Sequence, residues 1–156
     1  MISIDSPAPE FETTTTDGQR VRLRDFRGKP LVLYFFPKAF TPGCMIQADQ
    51  FQDAYPEIRA AGAELLGVST DDHQTQCDFA QSRSLSFLMG SDSNGSIARS
   101  YDVIWPLLKL VRRVTFVIDA LGTIRGIFHY ELRLDLHVRS VLQVLKSIPA
   151  KTGQIA

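Results

Sequence analysis

The run Leu31-Val32-Leu33-Tyr34-Phe35-Phe36 constrains this chain more than any other stretch. It has no polar alternation. It therefore reads as a strand with both faces buried, and such a strand needs a covering layer on each side of its sheet. Pro37 stops the run. After a short loop, Thr41-Pro42-Gly43 reads as the start of a helix, with Thr41 as its cap and Pro42 in its first turn. Cys44 then falls in the first turn of a helix, just past the carboxyl end of a strand. Open α/β sheets gather their ligand sites at such places. The unpaired N–H groups and the dipole of a helix start favour an anion. A thiolate is an anion, and it is the reactive form of cysteine. A free cysteine is ordinarily a small buried hydrophobe; the setting of Cys44 is what makes it a candidate nucleophile.

The rest of the chain supplies the layers. Pro7-Ala8-Pro9 is an extended lead-in, and residues 11–16 and 21–23 read as a β-hairpin around Asp17-Gly18. Residues 25–30 form a loop into the central strand. Tyr55-Pro56 is expected to interrupt the helix opened at Pro42, leaving a second helical piece over 57–61 that stops at Gly62. Residues 65–69 are the next buried strand, which makes a parallel unit with a right-handed crossover. A helix is expected over 72–83 with Phe79 and Ala80 turned inward, then a short strand or extended piece over 85–88, a loop over 91–95 and a short helix over 96–101. Residues 102–111 are unusually apolar and have no clear period. Strands are expected over 114–118 and 123–129. Val138, Val141, Leu142 and Leu145 recur at helical spacing and give a last helix one apolar face. Nothing in the composition divides the chain, so residues 1–156 read as a single α/β domain.

Charge and cysteine usage exclude several classes. The 17 basic residues balance the 17 acidic ones, so no electrostatic case exists for nucleic acid or a membrane surface. No basic region with a long apolar stretch follows Met1, and no run approaches membrane-spanning length. The expectation is a cytoplasmic protein. Two cysteines, no Cys-x-x-Cys and three scattered histidines argue against a disulfide framework and a zinc site. No metal and no cofactor are expected.

The spacing Pro37-x-x-x-Thr41-x-x-Cys44 resembles the active-site signature of the peroxiredoxins. The wider string Tyr34-Phe35-Phe36-Pro37-Lys38-x-x-Thr41-Pro42-Gly43-Cys44 is similar to the peroxiredoxin Q branch, also called bacterioferritin comigratory proteins. The resemblance runs from Asp5 to the last helix. It implies a thioredoxin-like fold, with a central mixed sheet flanked by helices and an added N-terminal hairpin. It implies a thiol peroxidase in which Cys44 attacks a peroxide oxygen and becomes a sulfenic acid. Thr41 and the backbone around Gly43 and Cys44 would hold the peroxide, and Pro37 would shield the pocket. The fourth family residue is an arginine in an Arg-x-Thr-Phe setting. Arg113-Val114-Thr115-Phe116 matches, which makes Arg113 the candidate and Arg112 the alternative. An arginine is always charged and offers planar donors, which suits charge growing on the departing oxygen.

Two positions depart from the branch. Gln47 stands where a glutamate is usual, three residues after the cysteine, and an amide can still accept a bond from the arginine. Asp49 stands where many relatives carry a resolving cysteine. The remaining thiol is Cys77, and a subset of the branch places its resolving cysteine on that helix. The resemblance thus implies an internal Cys44–Cys77 disulfide, recycled by thioredoxin or a glutaredoxin-type reductant. An inert Cys77 with external resolution, and a peroxide-sensing relay, are the alternatives. Relatives are often monomers. His73, one turn before Cys77, reads as a surface residue and not as a metal ligand or a base. Finally, Trp105 in the apolar stretch before Arg113 is expected to border the site. There it would form a collar for the alkyl tail of an organic hydroperoxide, against the plainer reading that the stretch packs on the core or a subunit contact.

Overall fold

A computed structural model describes residues 2–108 and 110–148. Of the domain read over 1–156, Met1 and residues 149–156 lie outside the described residues, as does Lys109 within the apolar stretch.

The apolar run becomes β3 (Leu31–Phe35), and all of it is buried. A parallel neighbour, β4 (Glu64–Ser69), lies on one side, with Leu33 opposite Leu66. An antiparallel neighbour, β6 (Val114–Ile118), lies on the other, with Leu33 opposite Phe116. Outside these run β5 (Leu88–Ser91), parallel to β4, and β7 (Ile124–His129), antiparallel to β6. The order β5-β4-β3-β6-β7 is a mixed sheet.

Alternation along β3 sorts its side chains into two cores. Leu31, Leu33 and Phe35 join Phe116, Ile118, Leu66, Val68 and Tyr101 on one face. Val32 and Tyr34, with Phe36 just beyond the strand, join Cys44, Phe51, Leu65, Phe79, Val117 and Val141 on the other. The first face is covered by the short helix α3 (Ser96–Ser100), the 3-10 turn Leu23–Phe26 and the N-terminal segments. The second is covered by α1 (Pro42–Ala60), α2 (His73–Ser82) and α4 (Asp135–Ser147). On that face Tyr34 stacks on Phe51 with ring centroids 4.4 Å apart. A Cβ on Gly67 would meet Tyr34 and the Met89 sulfur at 2.8 Å, so only glycine leaves the tyrosine room.

The hairpin forms as β1 (Glu12–Thr14) and β2 (Arg20–Arg22). It lies against the β5 edge: the Thr16 N–H donates to the Met89 carbonyl at 2.9 Å, and the Thr13 hydroxyl donates to the Ser91 carbonyl at 2.8 Å. That covers one edge strand of the sheet.

One expectation fails and one shifts. Pro56 does not break the helix, because α1 runs unbroken from Pro42 to Ala60. A proline inside a helix costs about 3 kcal/mol through its lost N–H and ring clash. Phe51 and Ile58, both fully buried on either side of it, hold the helix to the sheet. Of the short strand or extended piece expected over 85–88, only Leu88 lies in a strand, which runs Leu88–Ser91. Its register with β4 is set by Met89, which is buried against Tyr34, while Ser86 bonds Gln52 of α1. No helix among the described residues is long and apolar enough to cross a membrane.

Candidate active site

Cys44 is the third residue of α1 and is buried, 2 % exposed. The first intrahelical bond after the start runs from the Met45 N–H to the Thr41 carbonyl at 2.9 Å. The N–H groups of Gly43 and Cys44 precede it and belong to the unpaired helix start. Thr41 occupies the cap position with extended backbone, yet its side chain makes no cap. Its hydroxyl donates to the Lys38 carbonyl at 2.7 Å instead. The proton is thus committed, the oxygen keeps its lone pairs, and the first-turn N–H groups are not consumed by Thr41.

The loop from Pro37 to Thr41 is held at several points. The Ala39 N–H donates to Asp71 Oδ2 at 2.7 Å, and the Ser69 hydroxyl donates to the same oxygen at 2.6 Å. Phe40 has φ 67°, which costs a side-chain-bearing residue on the order of 1 kcal/mol. Its ring sits edge-on to Phe79 of α2, with centroids 5.3 Å apart. Pro37 is half-buried between β3 and this loop.

Arg113 and Arg112 leave the start of β6 on opposite sides of the sheet. Arg113 is 7 % exposed, and its Nη1 lies 3.5 Å from the Cys44 sulfur. The same nitrogen donates to Gln47 Oε1 at 2.7 Å. The backbone N–H of Arg113 donates to Glu131 Oε2 at 2.9 Å. Gly43 is small where Arg113 needs space: a Cβ there would stand 3.2 Å from Nη2. Arg112 turns to the other face. Its Nη2 bonds the Asp102 carbonyl, and its guanidinium lies over the Trp105 ring at 5.6 Å. Trp105 also packs on His129, with ring centroids 5.8 Å apart. His129 pairs in register with Val114, on the face away from Cys44. The structure therefore brings Cys44, Gly43, Gln47 and Arg113 together, and it places Trp105 with Arg112 and His129.

The site is lined by buried polar groups. Gln47 is fully buried, and its Nε2 has no hydrogen-bond partner among the described residues; neither has Arg113 Nε. Burial also pushes the Tyr34 phenol far above its ordinary range, so the ring is neutral. Two positions past Arg113, the Thr115 hydroxyl meets His137 Nδ1 at 2.8 Å. The other ring nitrogen, Nε2, lies 2.8 Å from the Tyr130 carbonyl. A carbonyl only accepts, so Nε2 carries the proton and Nδ1 accepts from Thr115. Burial pushes His137 down to about 4, against the opposing pull of that carbonyl, and the nearby Arg113 charge works in the same direction as burial. Sequence reasoning missed this histidine, since a lone His inside an amphipathic helix carries no local signal.

Both cysteines are free. Cys77 is half-buried on α2, with its sulfur 3.8 Å from the Thr16 carbonyl and 3.4 Å from His73 Nε2. Asp49 bonds Arg83 at the end of α2, with Arg83 Nε 3.0 Å from Oδ1.

A model of the AhpC/TSA family matches residues 4–127. The chain belongs to this family. It is 37% identical to a chloroplastic peroxiredoxin Q of Gentiana triflora, over 94% of this chain and 68% of that one. It is 35% identical to the peroxiredoxin Bcp of Escherichia coli, over 89% of this chain and 92% of that one. A crystal structure of the peroxidoxin BcpB from Mycobacterium tuberculosis superposes with a TM-score of 0.88 at 32% identity, covering 95% of this chain and 99% of the other. A structure of the Xanthomonas campestris bacterioferritin comigratory protein, concerned with alkyl peroxide reduction, gives 0.81 at 29% identity over 88% and 90%. The thioredoxin-like fold and the peroxiredoxin Q resemblance read from the sequence are borne out, and the chain is a thiol-dependent peroxidase acting on peroxides.

Proposed function

We propose that Cys44 is the peroxidatic residue, served by Thr41, Gly43, Pro37 and Arg113. The observation that carries this reading is the buried Arg113 guanidinium 3.5 Å from the Cys44 sulfur. The Cys44 thiolate attacks one oxygen of the hydroperoxide. The O–O bond breaks as the S–O bond forms, and the departing oxygen leaves as an alkoxide or hydroxide that takes up a proton. Arg113, the first-turn N–H groups and the unspent Gln47 Nε2 supply donors for that growing charge. The Thr41 oxygen, its own proton given to Lys38, accepts the hydrogen of the incoming peroxide. Pro37 walls the loop side and keeps bulk water from the sulfur.

In this reading Cys77 then resolves the sulfenic acid as an intramolecular disulfide, which thioredoxin or a glutaredoxin-type protein reduces. Cys44 is buried and Cys77 faces the hairpin, so the first turn of α1 opens before the bridge forms. Both hydrogen peroxide and organic hydroperoxides are substrates. The protein works as a cytoplasmic, single-domain monomer, without nucleic acid or membrane. Peroxide consumption coupled to a thioredoxin system tests the whole reading. Sustained turnover in the wild type, and none in Cys44→Ser, is expected. A single stoichiometric burst would instead mark a relay that hands its oxidation to another protein, and turnover in Cys44→Ser would remove the assignment.

A further inference from the structure

His73 is the first residue of α2 and Cys77 lies one turn on, so the two side chains share a helix face. The imidazole Nε2 stands 3.4 Å from the thiol sulfur. An acceptor, the Thr16 carbonyl, lies 3.8 Å from the same sulfur. The thiol thus sits between a carbonyl and a ring nitrogen that can accept in one tautomer and donate in the other, and the two differ in one respect. A carbonyl can receive a hydrogen bond but cannot keep the proton at neutral pH, whereas an imidazole can. His73 itself is exposed and so can exchange that proton with water. Asp72, the helix cap, adjoins it. Its carboxyl is held below the usual range chiefly by the Thr75 backbone N–H, so it is an anion beside the ring.

Resting on the proposed resolving role of Cys77, we infer that His73 is the acid–base residue of the resolving half-reaction. Nε2 takes the thiol proton of Cys77. The thiolate sulfur attacks the Cys44 sulfenic sulfur, the S–S bond forms and the S–OH bond breaks. The hydroxide that leaves receives a proton from His73 and departs as water. One sulfur is oxidised and the other reduced, and the oxidant is the sulfenic acid left by the peroxide. Asp72 stabilises the imidazolium that exists between the two transfers. The arrangement separates the two cysteines chemically. Cys44 is served by a guanidinium that cannot give up its proton, and Cys77 by a base that can.

The test uses the full chain. Reduced protein is mixed with one equivalent of hydrogen peroxide and quenched in a sulfenic-acid trap and a thiol alkylator at successive times. The ratio of Cys44–Cys77 bridge to trapped Cys44 sulfenic acid is then read by mass spectrometry. His73→Ala and His73→Gln are both expected to form the bridge about tenfold more slowly, less than the usual acid–base contribution because a thiolate needs no base once formed. Glutamine keeps a polar group on the helix face but takes no proton. Added imidazole is expected to restore the rate in His73→Ala, which a purely structural role would not allow. Bridge formation at the wild-type rate in both variants, or a slow rate that imidazole leaves unchanged, overturns the role of His73 alone. Absence of any bridge in the wild type overturns the resolving role of Cys77, and this inference with it.

Discussion

Arg113 and Cys44 are 69 residues apart in the chain, and Nη1 of one stands 3.5 Å from the sulfur of the other. Two local features produce that contact. The start of β6 lies beside the end of β3, with Val114 opposite Phe35. Alternation then sends Arg113 to the Cys44 face of the sheet and Arg112 to the other. Gly43 leaves the guanidinium its space.

Replacing either arginine tests this division. Arg113→Ala removes a charged donor from the Cys44 sulfur and is expected to slow Cys44 oxidation about a hundredfold or more. Arg112→Ala removes a contact with Trp105 and Asp102 on the opposite face, and its oxidation rate is expected to stay within a few-fold of wild type. Stopped-flow oxidation of the two variants decides it; equal impairment would contradict the assigned faces.

Gln47 accepts from Arg113 with an oxygen that a carboxylate would also supply. Gln47→Glu is therefore expected to keep the guanidinium in place and remain an active peroxidase. Gln47→Leu leaves a buried Arg113 N–H without its partner. Its cost is expected at about 1–3 kcal/mol of stability, read from denaturant unfolding, with a slower peroxide step. A Gln47→Leu protein as stable and as fast as wild type would contradict the role given to this bond.

Much of this was legible in the sequence, and the misses have physical causes. The buried strand, the helix start at Pro42 and the apolar face of α4 carry strong local patterns, and each forms as read. Pro56 gave a strong local signal that packing of Phe51 and Ile58 overrides. The true span of β5 depends on Met89 meeting Tyr34, a contact between segments far apart in the chain. The same holds for the site. Cys44, Thr41 and Arg113 stand in motifs, whereas the Gln47 bond, the His73–Cys77 contact and the burial of His137 exist only once the helices are docked.

His137 makes stability depend on pH. Its folded value of about 4 lies below the ordinary 6.5, so the unfolded chain binds more protons between the two. Its stabilising contribution is present above about 6.5 and is lost as pH falls towards 4. The full difference corresponds to about 3 kcal/mol. Urea unfolding at pH 7 and pH 4.5 is expected to show a drop of about 2–3 kcal/mol from this group in the wild type, and a smaller drop by that amount in His137→Gln. Identical pH dependence in both would contradict a buried, neutral His137.

Trp105 contacts Arg112 and His129. From these contacts, Trp105→Ala is expected to change the rates with hydrogen peroxide and with cumene hydroperoxide by the same factor. Steady-state kinetics with the two peroxides check it. A loss confined to cumene hydroperoxide would show that the loop reaches the bound substrate after all.

The most direct test of the account is the location of the first oxygen. Cys77→Ser protein, which cannot form the internal bridge, is treated with one equivalent of tert-butyl hydroperoxide in the presence of a sulfenic-acid trap and mapped by mass spectrometry. The account predicts trapped sulfenic acid on Cys44, at a rate that Arg113→Ala lowers. A Cys44 thiol that stays fully reduced while the peroxide is consumed would contradict it.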